Sequence, residues 1–249
     1  MKNFGYTIAE TLITLAIIGV IGALTLPTFV SSHRNQTNAA ALSVAISNLE
    51  NGLSSYIIKE NSTSFSKTTA GESDIGAIFV GNLDGILALE STNKTSSLAN
   101  HYDGLQLKNV SGQGIDLDEI ENANTYVGLR AKNGIVYFFN KLNDDGLNEA
   151  DVMMRGGALT KTWANVIIDV NGTSQPNSIG RDIFLFDLGD DGILYPCGSL
   201  DYSIKNQGLD APYTWKNRES NWTCIDEEKD SSGLGCTARL IDENFKPTY

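Results

Sequence analysis

From Tyr6 to Val30 the chain has 25 residues with a single charge, Glu10, and apolar side chains fall on every face of a helix drawn through them. At about 1.5 Å per residue such a helix is roughly 37 Å long, enough to cross a bilayer core of about 30 Å. The pattern then changes. After the polar stretch SSHRNQTN, the residues Leu42, Ile46, Leu49, Leu53 and Tyr56 recur at spacings of 4, 3, 4 and 3, which places one apolar stripe on an otherwise polar helix. One long N-terminal helix is predicted, apolar all round over residues 6–30 and amphipathic over 31–60. The stripe spans only two heptads, too few for a coiled coil of its own, so it is expected to pack on a globular body.

Past residue 60 the period of 3.6 disappears. Residues 61–120 read as loops with short ordered pieces. TYVGLRA, GIVYFFN, NVIIDV and DIFLFDL then follow, each β-branched or aromatic and each bounded by Gly, Asn or Asp, the signature of strands. KNG between the first two reads as a hairpin turn. The expected fold class is α+β: a long N-terminal helix packed on an antiparallel β-sheet, with a loop-rich C-terminal region and a globular domain over 61–249.

Composition narrows the function. The 249 residues include 41% hydrophobic side chains, ample for a packed core, and carry a formal net charge of -12, which argues against a nucleic-acid partner. The chain has two histidines, His33 and His101, and neither a GxxxxGK[ST] phosphate loop nor an HExxH motif, so no enzyme is expected.

Glu10 is the anomaly, because a carboxylate inside a membrane helix needs a partner. Proximity to headgroups and to the positive helix N-terminus explains tolerance. A cation supplied later, such as a new α-amino group made by cutting the chain just upstream, explains purpose. A secretory signal peptide fits less well, since its apolar region is shorter and its start more basic than the lone Lys2 here.

MKNFG followed by YTIAETLITLAIIGVIGALTLP resembles the class III signal of type IV pilins and type II secretion pseudopilins. In that family a short leader ends in Gly, the next residue is hydrophobic or aromatic, and a Glu follows at a fixed distance; Gly5, Tyr6 and Glu10 match. Tyr6 stands where Phe is commonest. The resemblance implies a leader over residues 1–5, cleavage between Gly5 and Tyr6 by a prepilin peptidase, and N-methylation of Tyr6. Glu10 would then neutralise the amine of a neighbouring subunit in a filament.

The partners so implied are identical or related pilin subunits, the peptidase and an inner-membrane assembly platform. The implied location is the bacterial inner membrane, single-pass, with the N-terminus cytoplasmic and the C-terminal domain extracytoplasmic, then a filament at the cell surface. Gly19 and Ala23 form a small-xxx-small pair suited to close helix approach. Pro27 is expected to kink or loosen the helix just before it, and the resemblance implies partial melting there on assembly. The alternative is a membrane-anchored extracytoplasmic binding protein or minor-pilin adhesin using the same helix.

Three acidic clusters, NDDGLNEAD at 143–151, DVNGTSQPNSIGRD at 169–182 and DLGDDG at 187–192, are rich in the residues that turns prefer. None matches an EF-hand loop. A structural calcium ion is the one cofactor considered: Asp169, Asn171 and Asp182 bracket a loop between two strands with hard oxygen donors, and some type II secretion pseudopilins hold calcium in a C-terminal loop. Cys224 and Cys236 enclose a polar, Gly-containing loop of a size a disulfide closes, and the resemblance agrees, since many type IV pilins close a C-terminal loop this way. Cys197 is left over and expected to be buried.

Overall fold

The structure is a computed structural model that describes residues 7–69, 89–95, 98–115, 126–141, 162–203, 212–215, 224 and 231–249. Helix α1, Ile8–Lys59, runs for 52 residues and carries through Pro27 without ending there. Pro27 cannot donate to the Ala23 carbonyl four residues back, so the turn that links the two halves lacks one backbone hydrogen bond.

The two halves of α1 differ as their patterns predict. Every large apolar side chain from Ile8 to Val30 is exposed. In the second half Asn38, Ala39, Leu42, Ala45, Leu49, Gly52, Leu53 and Tyr56 are buried. Ile46 lies at the margin of this stripe, half-buried, and Ala45 takes the centre. A small residue there lets the helix backbone approach the sheet.

Among the described residues ten strands follow: β1 Leu89–Thr95, β2 Leu107–Lys108, β3 Gly114–Ile115, β4 Val127–Ala131, β5 Val136–Lys141, β6 Thr162–Asp169, β7 Ile183–Gly189, β8 Leu194–Pro196, β9 Ser199–Ser203 and β10 Pro212–Thr214. The main sheet has the order β1-β4-β5-β6-β7-β8 with every pair antiparallel. Its last five strands form a meander, and the predicted KNG turn joins β4 to β5 with Gly134 at φ +91. β9 pairs with β10 and β2 with β3. The described residues also include a 3-10 turn, Phe65–Lys67, and two short helices, α2 Leu98–His101 and α3 Cys236–Asp242.

One sheet face, with Leu129, Tyr137, Phe139, Val166, Ile168, Phe184 and Phe186, packs against α1. The other face, with Val136, Phe138, Ile167 and Leu185, packs against Leu98, Tyr102, Leu107 and Tyr126. Burial on both faces explains why GIVYFFN and DIFLFDL read as continuous apolar runs rather than alternating ones.

Two elements depart from the sequence expectation. β1 falls where loops are expected; as an edge strand it is held by its hydrogen bonds to β4, and such strands need no apolar period. α3 falls in the region expected to be loop-rich, and buries Ala238 and Leu240.

Candidate functional site

The predicted site residues fall in three places. Gly5 and Tyr6 lie outside the described residues, as does the acidic cluster at 143–151. Glu10 is the third residue of α1, where it closes a capping box: the Thr7 amide donates to Glu10 Oε2 at 2.8 Å, the Thr7 hydroxyl donates to the same oxygen at 2.9 Å, and the Glu10 amide donates to Thr7 Oγ1 at 3.3 Å. A Thr-x-x-Glu capping box satisfies donors that a helix start leaves open. In the single chain the Glu10 carboxylate therefore already has neutral partners, and it stays fully exposed to a cationic one.

Gly19, Ala23 and Pro27 follow one another at i+4 spacing, so they share one strip of the helix surface. All three are exposed, and a side-chain carbon at Gly19 would meet nothing within 4 Å. This strip lies on the exposed apolar half of α1, a helix long and apolar enough to span a membrane. An apolar surface of this extent needs a bilayer or other chains to cover it.

The second place is the loop between β6 and β7. It brings Asp169, Asn171 and Asp182 together at the end of the sheet nearest the exposed half of α1. Asp169 Oδ1 accepts from the amides of Asn171 at 3.0 Å and Gly172 at 2.8 Å, and Oδ2 accepts the Tyr102 hydroxyl at 2.5 Å. Asp182 Oδ1 accepts from the Ser178 amide at 2.6 Å, while Oδ2 accepts from the Asn177 amide at 2.9 Å and from Asn171 Nδ2 at 3.0 Å. Burial pushes Asp169 up to about 7, against the opposing pull of these donors, and burial likewise raises Asp182. His101, its side chain 5% exposed, holds Nε2 at 3.9 Å from Asp169 Oδ2. Burial first, and the Arg130 charge second, lower its affinity for a proton.

A calcium ion on Asp169, Asn171 and Asp182 would have to displace donors that the two carboxylates already hold. All four carboxylate oxygens of Asp169 and Asp182 accept from N–H or O–H donors, while Asn171 Oδ1 and His101 Nε2 have no hydrogen-bond partner. Among the described residues no group of three or more His, Cys, Asp or Glu side chains is placed so that it could hold a metal ion. What the arrangement does chemically is hold a long loop in one shape, each carboxylate replacing several backbone hydrogen bonds. In the 187–192 cluster, Asp191 accepts from the Ile193 amide at 3.0 Å and the Tyr195 hydroxyl at 2.6 Å, as turn residues do. Sequence reasoning missed Tyr102 and His101, which lie 67 and 68 positions before Asp169 and carry no local signal of the pairing.

The third place is the C-terminal segment. Cys224 and Cys236 form a disulfide, and Cys197 is buried outside it, its thiol pushed well up by burial. Gly180, at φ +86, sits so close that a side-chain carbon there would lie 2.8 Å from the Cys236 sulfur. Arg239 of α3 ties this region together. It donates to the Cys224 carbonyl, pairs with Glu243 at 3.1 Å and lies 4.9 Å from the Tyr249 ring centroid. Tyr249 in turn donates its hydroxyl to the Gly180 carbonyl at 2.9 Å. The disulfide and the β6–β7 loop thus belong to one connected structure.

No family model, curated protein or solved structure matches this chain.

Proposed function

We propose that the chain is the precursor of a type IV pilin-like or type II secretion pseudopilin subunit, cleaved after Gly5, N-methylated on Tyr6 and assembled into a helical filament through α1. The observation that carries this reading is one continuous helix with two unlike halves: Ile8–Val30 exposed on all sides with Glu10 at its head, and Asn38–Tyr56 buried against a sheet. Such a helix is an anchor in the bilayer before assembly and a core strand of the filament afterwards.

Glu10 pairs with the processed amine of a neighbour, a charge-assisted bond stronger than the Thr7 contacts it replaces. Gly19 and Ala23 let neighbouring helices approach, and the missing donor at Pro27 gives a place where the helix loosens as subunits pack. The work of the protein on this reading is assembly, with the globular domain facing outward, and its partners are like subunits, the prepilin peptidase and a membrane assembly platform.

The test is Glu10→Ala. Processing, followed by the mass of the mature chain, is expected to continue, while incorporation into sheared filaments is lost. Incorporation at the wild-type level would sink the reading of Glu10 as the assembly residue.

A further inference from the structure

The end of the globular domain that faces the membrane half of α1 carries cations, although the chain as a whole is acidic. Two contacts fix its height. Arg34 Nη1 donates to the Gln175 carbonyl at 3.4 Å, and Asn38 Nδ2 donates to the Arg181 carbonyl at 3.1 Å. Arg34 and Asn38 lie four and eight residues past Val30, roughly 6 and 12 Å along the helix. The headgroup layer on each side of a bilayer core is about 5–7 Å thick. With Ile8–Val30 in the core, the β6–β7 loop therefore stands on the headgroup layer.

The β4–β5 turn stands beside that loop. A side-chain carbon on Gly172 would lie 3.5 Å from the Gly134 carbonyl and 3.9 Å from Arg130 Nη2. Arg34, His33 and Lys132 are exposed here and Arg130 is half-buried. The loop's own carboxylates, Asp169 and Asp182, are fully buried and bonded inward, and among the described residues Asp103, next to Tyr102, is an exposed acid on the flank. Glu50, Glu60, Asp190 and Asp191 lie at the opposite end, around the C-terminus of α1. Among the described residues the charge is thus divided along the long axis, with these cations held at headgroup height.

We propose that this basic end, built from Arg34, Arg130 and Lys132, docks on the anionic headgroups of the bilayer that holds α1, fixing the orientation of the globular domain on the membrane before assembly. The inference rests on the membrane part of the proposed function and not on cleavage or filament formation. Clustered Lys and Arg next to a membrane helix are drawn to anionic lipid, and salt screens the attraction.

The full chain is reconstituted into phosphatidylcholine vesicles and into vesicles with about one third phosphatidylglycerol, and amide exchange is followed. Exchange over 131–134 and 172–176 is expected to be several-fold slower in the anionic vesicles. The difference should vanish in about 0.5 M salt and in the Arg34→Gln/Lys132→Gln variant, and persist in Lys59→Gln at the far end of α1. Exchange over Val166–Ile168, inside the sheet, should be the same throughout and reports that each variant is folded. Equal exchange in the two vesicle types overturns the inference and leaves the membrane reading intact, whereas failure of the chain to insert overturns both. Slowing that follows protein density rather than lipid charge assigns the surface to a second copy and also overturns it.

Discussion

Asn171 reaches across the base of its loop and donates its side-chain amide to Asp182 at 3.0 Å, so the second and last residues of the β6–β7 connection are tied by one hydrogen bond. Asp182 also holds the amides of Asn177 and Ser178, both buried. Asp182→Ala leaves two buried backbone donors unsatisfied, and a loss on the order of 3 kcal/mol is expected in denaturant melts of the full chain in detergent. Asn171→Ala removes only the tie and should cost about 1 kcal/mol. Equal losses would mean that the backbone donors are not what Asp182 holds.

The raised proton affinity of Asp169 predicts a pH dependence with a definite sign. Its carboxyl moves from 3.8 to about 7 on folding, so the folded chain holds that proton more tightly than the unfolded one. Its contribution favours folding fully below about pH 4 and is lost as pH rises through about 7. His101 is shifted the other way, so its contribution is present above 6.5 and lost as pH falls below it. In Asp169→Asn the amide oxygen still accepts from Asn171 and Gly172, and the amide nitrogen can donate to the Tyr102 oxygen. The Tm of this variant relative to wild type should rise between about pH 5 and pH 7 and level off above that. A constant difference across that range would refute the assignment.

Calcium is expected to leave the melting temperature unchanged at millimolar concentration, because each carboxylate oxygen of Asp169 and Asp182 already has a donor. A saturable rise in Tm on titration, lost in Asp182→Asn, would show that the loop rearranges to bind the ion.

Breaking the Cys224–Cys236 bridge with the double Ser variant should cost about 3 kcal/mol, from the chain entropy that a loop of this length recovers in the unfolded state. Gly180→Ala should be destabilising with the bridge intact, since it needs φ +86 and would press on Cys236. Non-reducing mass spectrometry of peptides checks the pairing, with Cys197 expected outside it.

Thr7 and Glu10 share the capping box, so variants of the two separate capping from assembly. Thr7→Ala should fray the first turn, seen as faster amide exchange at the head of α1, yet still enter filaments. Glu10→Ala should fray the same turn and fail to enter. If both variants fail alike, the cap rather than the carboxylate is what assembly needs.

The patterning of the chain by itself determined α1 and its division into halves, because helical period and uniform apolarity are local properties of a sequence. The residues of β4 to β7 were legible for the same reason, since each is a short apolar run between turn residues. The disulfide was legible from spacing, and Asp169, Asn171 and Asp182 from their place around one loop. Tertiary structure alone decided what those three residues face: Tyr102 and His101 come from a segment far upstream, and which oxygens meet donors depends on how the loop closes. It also decided that the sheet is buried on both faces and that β1 joins its edge. Lastly, it placed Arg34, Arg130 and Lys132 at one end of an acidic protein. Net charge is a sum over the chain, but a charged surface is a matter of which ends of the strands and helix come together, and that is settled only when they pack.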